Sequence, residues 1–215
     1  MDLFDVLIVK AGYVGWLIWL ISAGTMALII EHFISIRREN ILPDLTRQEV
    51  EALFENKQYR EAIDLTSTQQ DMLSYCVHSA LVEAPHGYAA MERAMEEANE
   101  ERTTKLLRKI EWLNLIGNIG PMLGLFGTVW GMIDAFFTIA NSATGTASAK
   151  DLAPAIGMAL VTTLLGLAVA IPSLAVYAVM RNRIDALSSE TMMTCQELVS
   201  AFRPGRKAAP AKKEA

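Results

Sequence analysis

The sequence predicts an all-α, polytopic membrane protein with three transmembrane helices and long cytoplasmic helical extensions, its N-terminus outside and its C-terminus inside. Three observations carry this reading. The chain of 215 residues is 52% hydrophobic but also 20% charged, with a mean hydropathy of +0.27. That is too apolar for an ordinary soluble domain, yet it implies a sizeable aqueous part. Three stretches approach or exceed the roughly 20 apolar residues that cross a bilayer. Between Tyr88 and Gly117 no glycine or proline interrupts a helix-forming composition, so the second stretch continues a long charged helix.

Taken in order, residues 1–12 (DLFDVLIVK within them) are short and amphipathic and are expected to lie along the membrane surface. Asp2 and Asp5 stand where a cleavable signal would carry positive charge, so no such signal is expected. Residues 13–36 form the first span. Residues 37–112 form a cytoplasmic helical domain, in which Thr46 and Glu49 have the spacing of a capping box and a helix is expected over about 71–83. Residues 113–140 are the second span, 141–151 a periplasmic loop and 152–180 the third span. Residues 181–202 continue as a cytoplasmic helix, and 203–215 are a Pro/Ala-rich tail expected to be disordered. Arg37, Arg38, Lys105, Arg108, Lys109, Arg181 and Arg183 flank the spans on one side, whereas the 141–151 loop holds Lys150 alone. Basic residues mark the cytoplasmic side, which gives the stated orientation.

The net charge of −5 argues against nucleic acid as a partner. Cys76 and Cys195 are isolated in sequence and make no metal set with His32, His78 and His86, so no metal or cofactor is expected. No nucleophile–base set or phosphate loop is present, and an enzyme is not expected. The glycines from Gly117 to Gly124 lie within a membrane helix, where they read as packing.

The chemistry of the spans lies in their small residues. Gly117, Gly120, Gly124, Thr128, Gly131 and Ala135 recur at three- and four-residue steps in the second span. Ala159, Thr163, Gly166, Ala170, Ser173 and Tyr177 do so in the third. Such stripes let backbones approach closely in lipid, where packing drives helix association. Pro121 and Pro172 should kink the helices and free carbonyls. Two readings stand side by side: tight packing with hydroxyls bonded to their own backbone, or a pore whose polar contacts are those hydroxyls. Asp134 falls near the outer interface, and Glu31 and His32 near the inner one. Neither stripe carries a mid-membrane Asp, Glu, His or Lys. A proton relay needs such a group, so a partner would have to bring it.

PMLGLFGTVWGMIDAF and LAPAIGMALVTTLLGLAVAIPSLAVY resemble the second and third membrane helices of the MotA/TolQ/ExbB proton channel family, most closely its ExbB and TolQ branch. The likeness extends over about residues 13–200. It implies a homo-oligomeric ring, a pentamer, in the bacterial inner membrane. The ring would enclose an ExbD- or TolR-like single-span partner whose intramembrane aspartate carries protons, energising transport or envelope work. By motif position, Thr128 and Thr163 would be pore threonines, with Ser173 and Tyr177 on the same pathway. Gly120, Pro121, Gly124, Gly127, Gly131, Gly166 and Pro172 would shape the channel, and Thr162 would face a neighbouring subunit. Where ExbB and TolQ patterns often carry a glutamate at the outer mouth, this chain has Met158. That departure leaves open a non-conducting scaffold, or a stator for another load such as gliding or flagellar-type motility.

Overall fold

The computed structural model describes residues 12–142 and 148–203. The surface segment expected over 1–12 therefore lies outside the described residues except for Gly12. The 141–151 loop is described only at its ends, and the 203–215 tail only at Arg203.

The described chain is helical: α1 (Gly12–Ser35), α2 (Arg38–Ile41), α3 (Asp44–Glu55), α4 (Tyr59–Thr68), α5 (Met72–Val82), α6 (Tyr88–Ala140) and α7 (Ala149–Val199). Three of these, α1, α6 and α7, are long and apolar enough to cross a membrane. The helix expected from Tyr88 onward is unbroken for 53 residues, and Pro121 lies within it. In the same way α7 runs through Pro154 and Pro172.

Among the described residues, those up to 33 and between 110 and 180 group as one compact unit, and 34–109 with those from 181 onward as another. In the first unit, α1 packs through Ile18 against Val161, Leu165 and Val169 of α7, with Ile116 and Leu123 of α6 at the margin. Apolar burial supplies little drive between helices in lipid, so interdigitation of these side chains is what holds α1. Thr25 is buried and donates its hydroxyl to Ile21 O at 2.8 Å, which satisfies it within its own helix. Glu31 is exposed. His32 is buried at 4% exposure.

In the second unit Val50, Phe54, Ala62, Leu73, Val77 and Leu81 are buried, which brings α3, α4 and α5 together. The capping box expected at Thr46 and Glu49 is not formed. Helix α3 begins one turn earlier, with Pro43 as its cap, and Thr46 is buried inside the first turn, donating to Gln69 Oε1 at 2.7 Å. Asp71 caps α5, accepting from Ser74 N at 2.8 Å. Arg38 bridges Asp44 at 3.0 Å and Glu190 at 2.9 Å. Those two carboxylates, Glu190 first, raise its pKa further. The Tyr75 hydroxyl donates to Glu101 at 2.8 Å, and the Arg102 guanidinium lies 4.0 Å from the Tyr75 ring centre. Bonding to Glu101 raises the tyrosine pKa, and Lys105 followed by Tyr75 lowers that of Glu101. Cys76 and Cys195 are free and buried. The Cys76 hydrogen bond, and then burial, push the Cys195 thiol well above the usual thiol range.

Candidate functional site

The site is built on a seam between α6 and α7 that only glycine permits. A Cβ at Gly166 would stand 2.6 Å from Gly120 O, and one at Gly120 would stand 2.9 Å from Gly166 O. At Gly124 it would meet Thr163 Cα at 3.0 Å, and at Gly131 Ala159 Cβ at 2.9 Å. Gly127 is closed off in the same way by the side chain of Thr162. At Gly120, Gly124 and Gly166 these are backbone-to-backbone approaches of the kind that small residues allow in lipid.

The register of this seam corrects the stripe read from sequence. On α6 it runs through Gly120, Gly124, Gly127 and Gly131, which are all buried, while Thr128 is turned about 100° from Gly127 and half-exposed. On α7, Thr162 is 1% exposed and donates to Ala159 O at 2.9 Å. It therefore packs inside its own protomer on the space left by Gly127 and does not face a neighbour. Ser173, expected on the pathway, is wholly buried and donates to Val169 O at 2.6 Å. Pro121 is half-buried and Pro172 exposed.

Thr128 and Thr163 lie elsewhere. Helix α1 packs on one side of the seam, through Ile116, Leu123, Val161, Leu165 and Val169. At 3.6 residues per turn, Thr128 and Thr163 both fall on the opposite edge. Each is half-exposed. The Thr163 hydroxyl donates across the seam to Gly124 O and along its helix to Ala159 O, both at 3.3 Å. Thr128 sits one turn beyond Gly124 and donates to Leu125 O at 2.7 Å. With their protons committed to carbonyls, both oxygens keep lone pairs that can accept from another chain.

Met158 is on the α1 side. It is half-buried, and its Sδ stands 2.7 Å from where a Cβ of Gly12 would be. Gly12 itself has φ +61°, a left-handed start to α1 that disfavours a side chain. Met158 lines a cavity of 360 Å³ with Val14, Trp130, Asp134 and Thr162. The position that carries a glutamate in similar patterns thus belongs to this cavity, turned away from the Thr128–Thr163 edge, and Asp134 is its carboxylate. At the Glu111 end of the seam the half-exposed Tyr177 donates to Glu111 Oε2 at 3.4 Å. Glu111 was missed in the sequence because it precedes the apolar run; its pairing with Tyr177 depends on how α6 and α7 align. Among the described residues no three His, Cys, Asp or Glu side chains gather to hold a metal.

The profile of the MotA/TolQ/ExbB proton channel family matches residues 66–193, more than half of the chain. The chain is 32% identical over 155 residues to the biopolymer transport protein ExbB of Pseudomonas putida, covering 67% of this chain and 46% of that protein. To the Tol-Pal system protein TolQ of Haemophilus influenzae it is 33% identical over 98 residues, 46% of this chain and 42% of that protein. To the biopolymer transport protein exbB1 of Vibrio cholerae it is 28% identical over 169 residues, 77% of this chain and 74% of that protein. The matches to the first two thus span less than half of those relatives. On the family match and the three apolar helices, the chain belongs to the MotA/TolQ/ExbB proton channel family and has the make-up of a multi-pass membrane protein.

Proposed function

We propose that this chain is the channel-forming subunit of a proton-driven motor in the bacterial inner membrane, without enzymatic activity of its own. Five copies would surround an ExbD- or TolR-like helix that supplies an intramembrane aspartate. The observation that carries the proposal is the common edge of Thr128 and Thr163. Both hydroxyls are half-open, lie away from α1 and flank a seam too tight to admit anything between α6 and α7. A carboxyl group brought against that edge can donate to a threonine oxygen when protonated. When ionised, it can draw the hydroxyl protons from their carbonyls. The hydroxyls serve both states, as reversible proton transfer demands. The basic flanks of the spans support an outside N-terminus, with 37–112 and the C-terminal helix in the cytoplasm. The names of the relatives suggest two loads for the motor, biopolymer transport or the Tol-Pal system.

One observation favours a non-conducting scaffold: each threonine hydroxyl already has a backbone acceptor. Native mass spectrometry of the complex, extracted gently from its host membrane, separates the two. Five copies with a smaller single-span protein bearing an aspartate would support the motor. A homo-oligomer alone would lack a membrane carboxylate at the threonine edge and would sink it.

A further inference from the structure

The inner end of the Thr128 edge carries polar side chains that the seam does not need. Asn118 Nδ2 donates to Asn114 Oδ1 at 2.9 Å and to Asn114 O at 2.8 Å. Asn114 Nδ2 donates to Glu111 Oε1 at 2.7 Å, and Tyr177 of α7 donates to Glu111 Oε2 at 3.4 Å. This is a connected chain of side chains at one-turn steps, ending on a carboxylate bonded along α6 and approached more weakly from α7. Asn114, Pro121 and Thr128 recur every seven residues and are all half-exposed, so the chain lies on the threonine side of α6. Pro121 has no N–H, so the carbonyl of Gly117 lacks its helical donor and adds an acceptor between Asn118 and Thr128. A helix face with two amides, a free carbonyl and a carboxylate is costly against lipid tails. It belongs against water or a polar partner.

We propose that Glu111 is the inner-mouth proton acceptor of this channel. This rests on the proton-conducting reading above and adds to it a named exit. Thr128 and Glu111 are 17 residues apart, about 25 Å along the helix, so no direct transfer is feasible. Water ordered by the Gly117 carbonyl, Asn118 and Asn114 bridges the gap. One O–H bond forms on the Glu111 carboxylate as a proton arrives from the membrane carboxyl group. The same bond breaks when the proton passes to cytoplasmic water. Asn114 and Tyr177 are positioning residues that hold the carboxylate at the mouth.

The test uses the full chain with the single-span protein that co-purifies with it, reconstituted into vesicles holding a trapped pH dye. A potassium–valinomycin potential drives the flux. Glu111→Gln keeps the shape of the side chain but exchanges one of its two acceptor oxygens for a donor and cannot take up a proton, and should cut flux at least about a hundredfold, the low end of a general acid–base contribution. Glu111→Asp should restore most of it. External azide, a small proton carrier, should restore flux to Glu111→Gln, which a purely structural role would not permit. Wild-type flux in Glu111→Gln would overturn the inference while leaving the channel reading intact. No flux in the wild-type complex would overturn both. Equal loss in Glu111→Asp and Glu111→Gln, with no azide rescue, would assign Glu111 to structure and also overturn the inference.

Discussion

Replacing Gly166 by alanine probes the seam on which the threonine edge depends. The new Cβ would lie 2.6 Å from Gly120 O and 3.1 Å from Gly124 Cα. An ordinary C···O contact is about 3.3 Å, so the shortfall is about 0.7 Å. The atoms in the way are helical backbone, which cannot swing aside as a side-chain end can. Overpacking of this kind costs about 1–3 kcal/mol. Alanine is also a better helix former than glycine by up to about 1 kcal/mol, so a control must cancel that gain. Gly24→Ala supplies it, because a Cβ there meets nothing within 4 Å. The difference between the two variants isolates the clash. At about 2–4 °C per kcal/mol for a chain of this length, Gly166→Ala should melt roughly 2–12 °C below Gly24→Ala. Loss of helical circular dichroism on heating in detergent reads this directly. Equal melting of the two variants would show that α6 and α7 do not approach at Gly120–Gly166, and the placement of Thr163 against Gly124 would fall with it.

Three further outcomes are expected. Met158→Glu places a carboxyl group in the cavity lined by Val14, Trp130 and Asp134. A polar or charged group buried there without a partner is costly, so the variant should melt below wild type. Equal melting would show that the side chain at position 158 does not enter the cavity. The Cys195 thiol is held protonated by Cys76 and by burial. Its contribution to stability is full below the unfolded thiol value of about 8.5 and is lost as pH rises above it. Maleimide should label Cys195 slowly at pH 7.5 until denaturant is added, and prompt native labelling would contradict its burial. Asp71→Ala removes the acceptor of Ser74 N and of the Ser74 hydroxyl and should cost about 1 kcal/mol, read as a shift in denaturant midpoint.

Much of the architecture was legible because lipid imposes it. Apolar length marked α1 and the second and third spans, and the absence of glycine or proline from Tyr88 to Ile116 marked the continuous α6. Register was less legible. Periodicity put Thr128 on the glycine stripe, yet Gly127 fills that place. Both neighbours satisfy a three- or four-residue step, and which of them faces α7 depends on Thr162 needing room. The same ambiguity sent Thr162 outward and Ser173 into a pathway, although both are buried with their hydroxyls on their own helix. Thr46 looked like a cap because its spacing to Glu49 fits, but Pro43 begins the helix earlier and the hydroxyl serves Gln69. The Glu111–Tyr177 pair joins residues 66 positions apart. No local pattern reports such a pair.

The most direct test of the central claim is proton flux through the reconstituted complex of this chain and its co-purifying partner, compared with Thr163→Val. Valine is close in shape to threonine, and the bonds it removes are two weak ones at 3.3 Å, so the complex should assemble with unchanged stoichiometry. If the threonine edge conducts, wild type carries protons down an imposed potential and Thr163→Val loses that flux while its stoichiometry is preserved. Unchanged flux in an intact Thr163→Val complex would contradict the pathway.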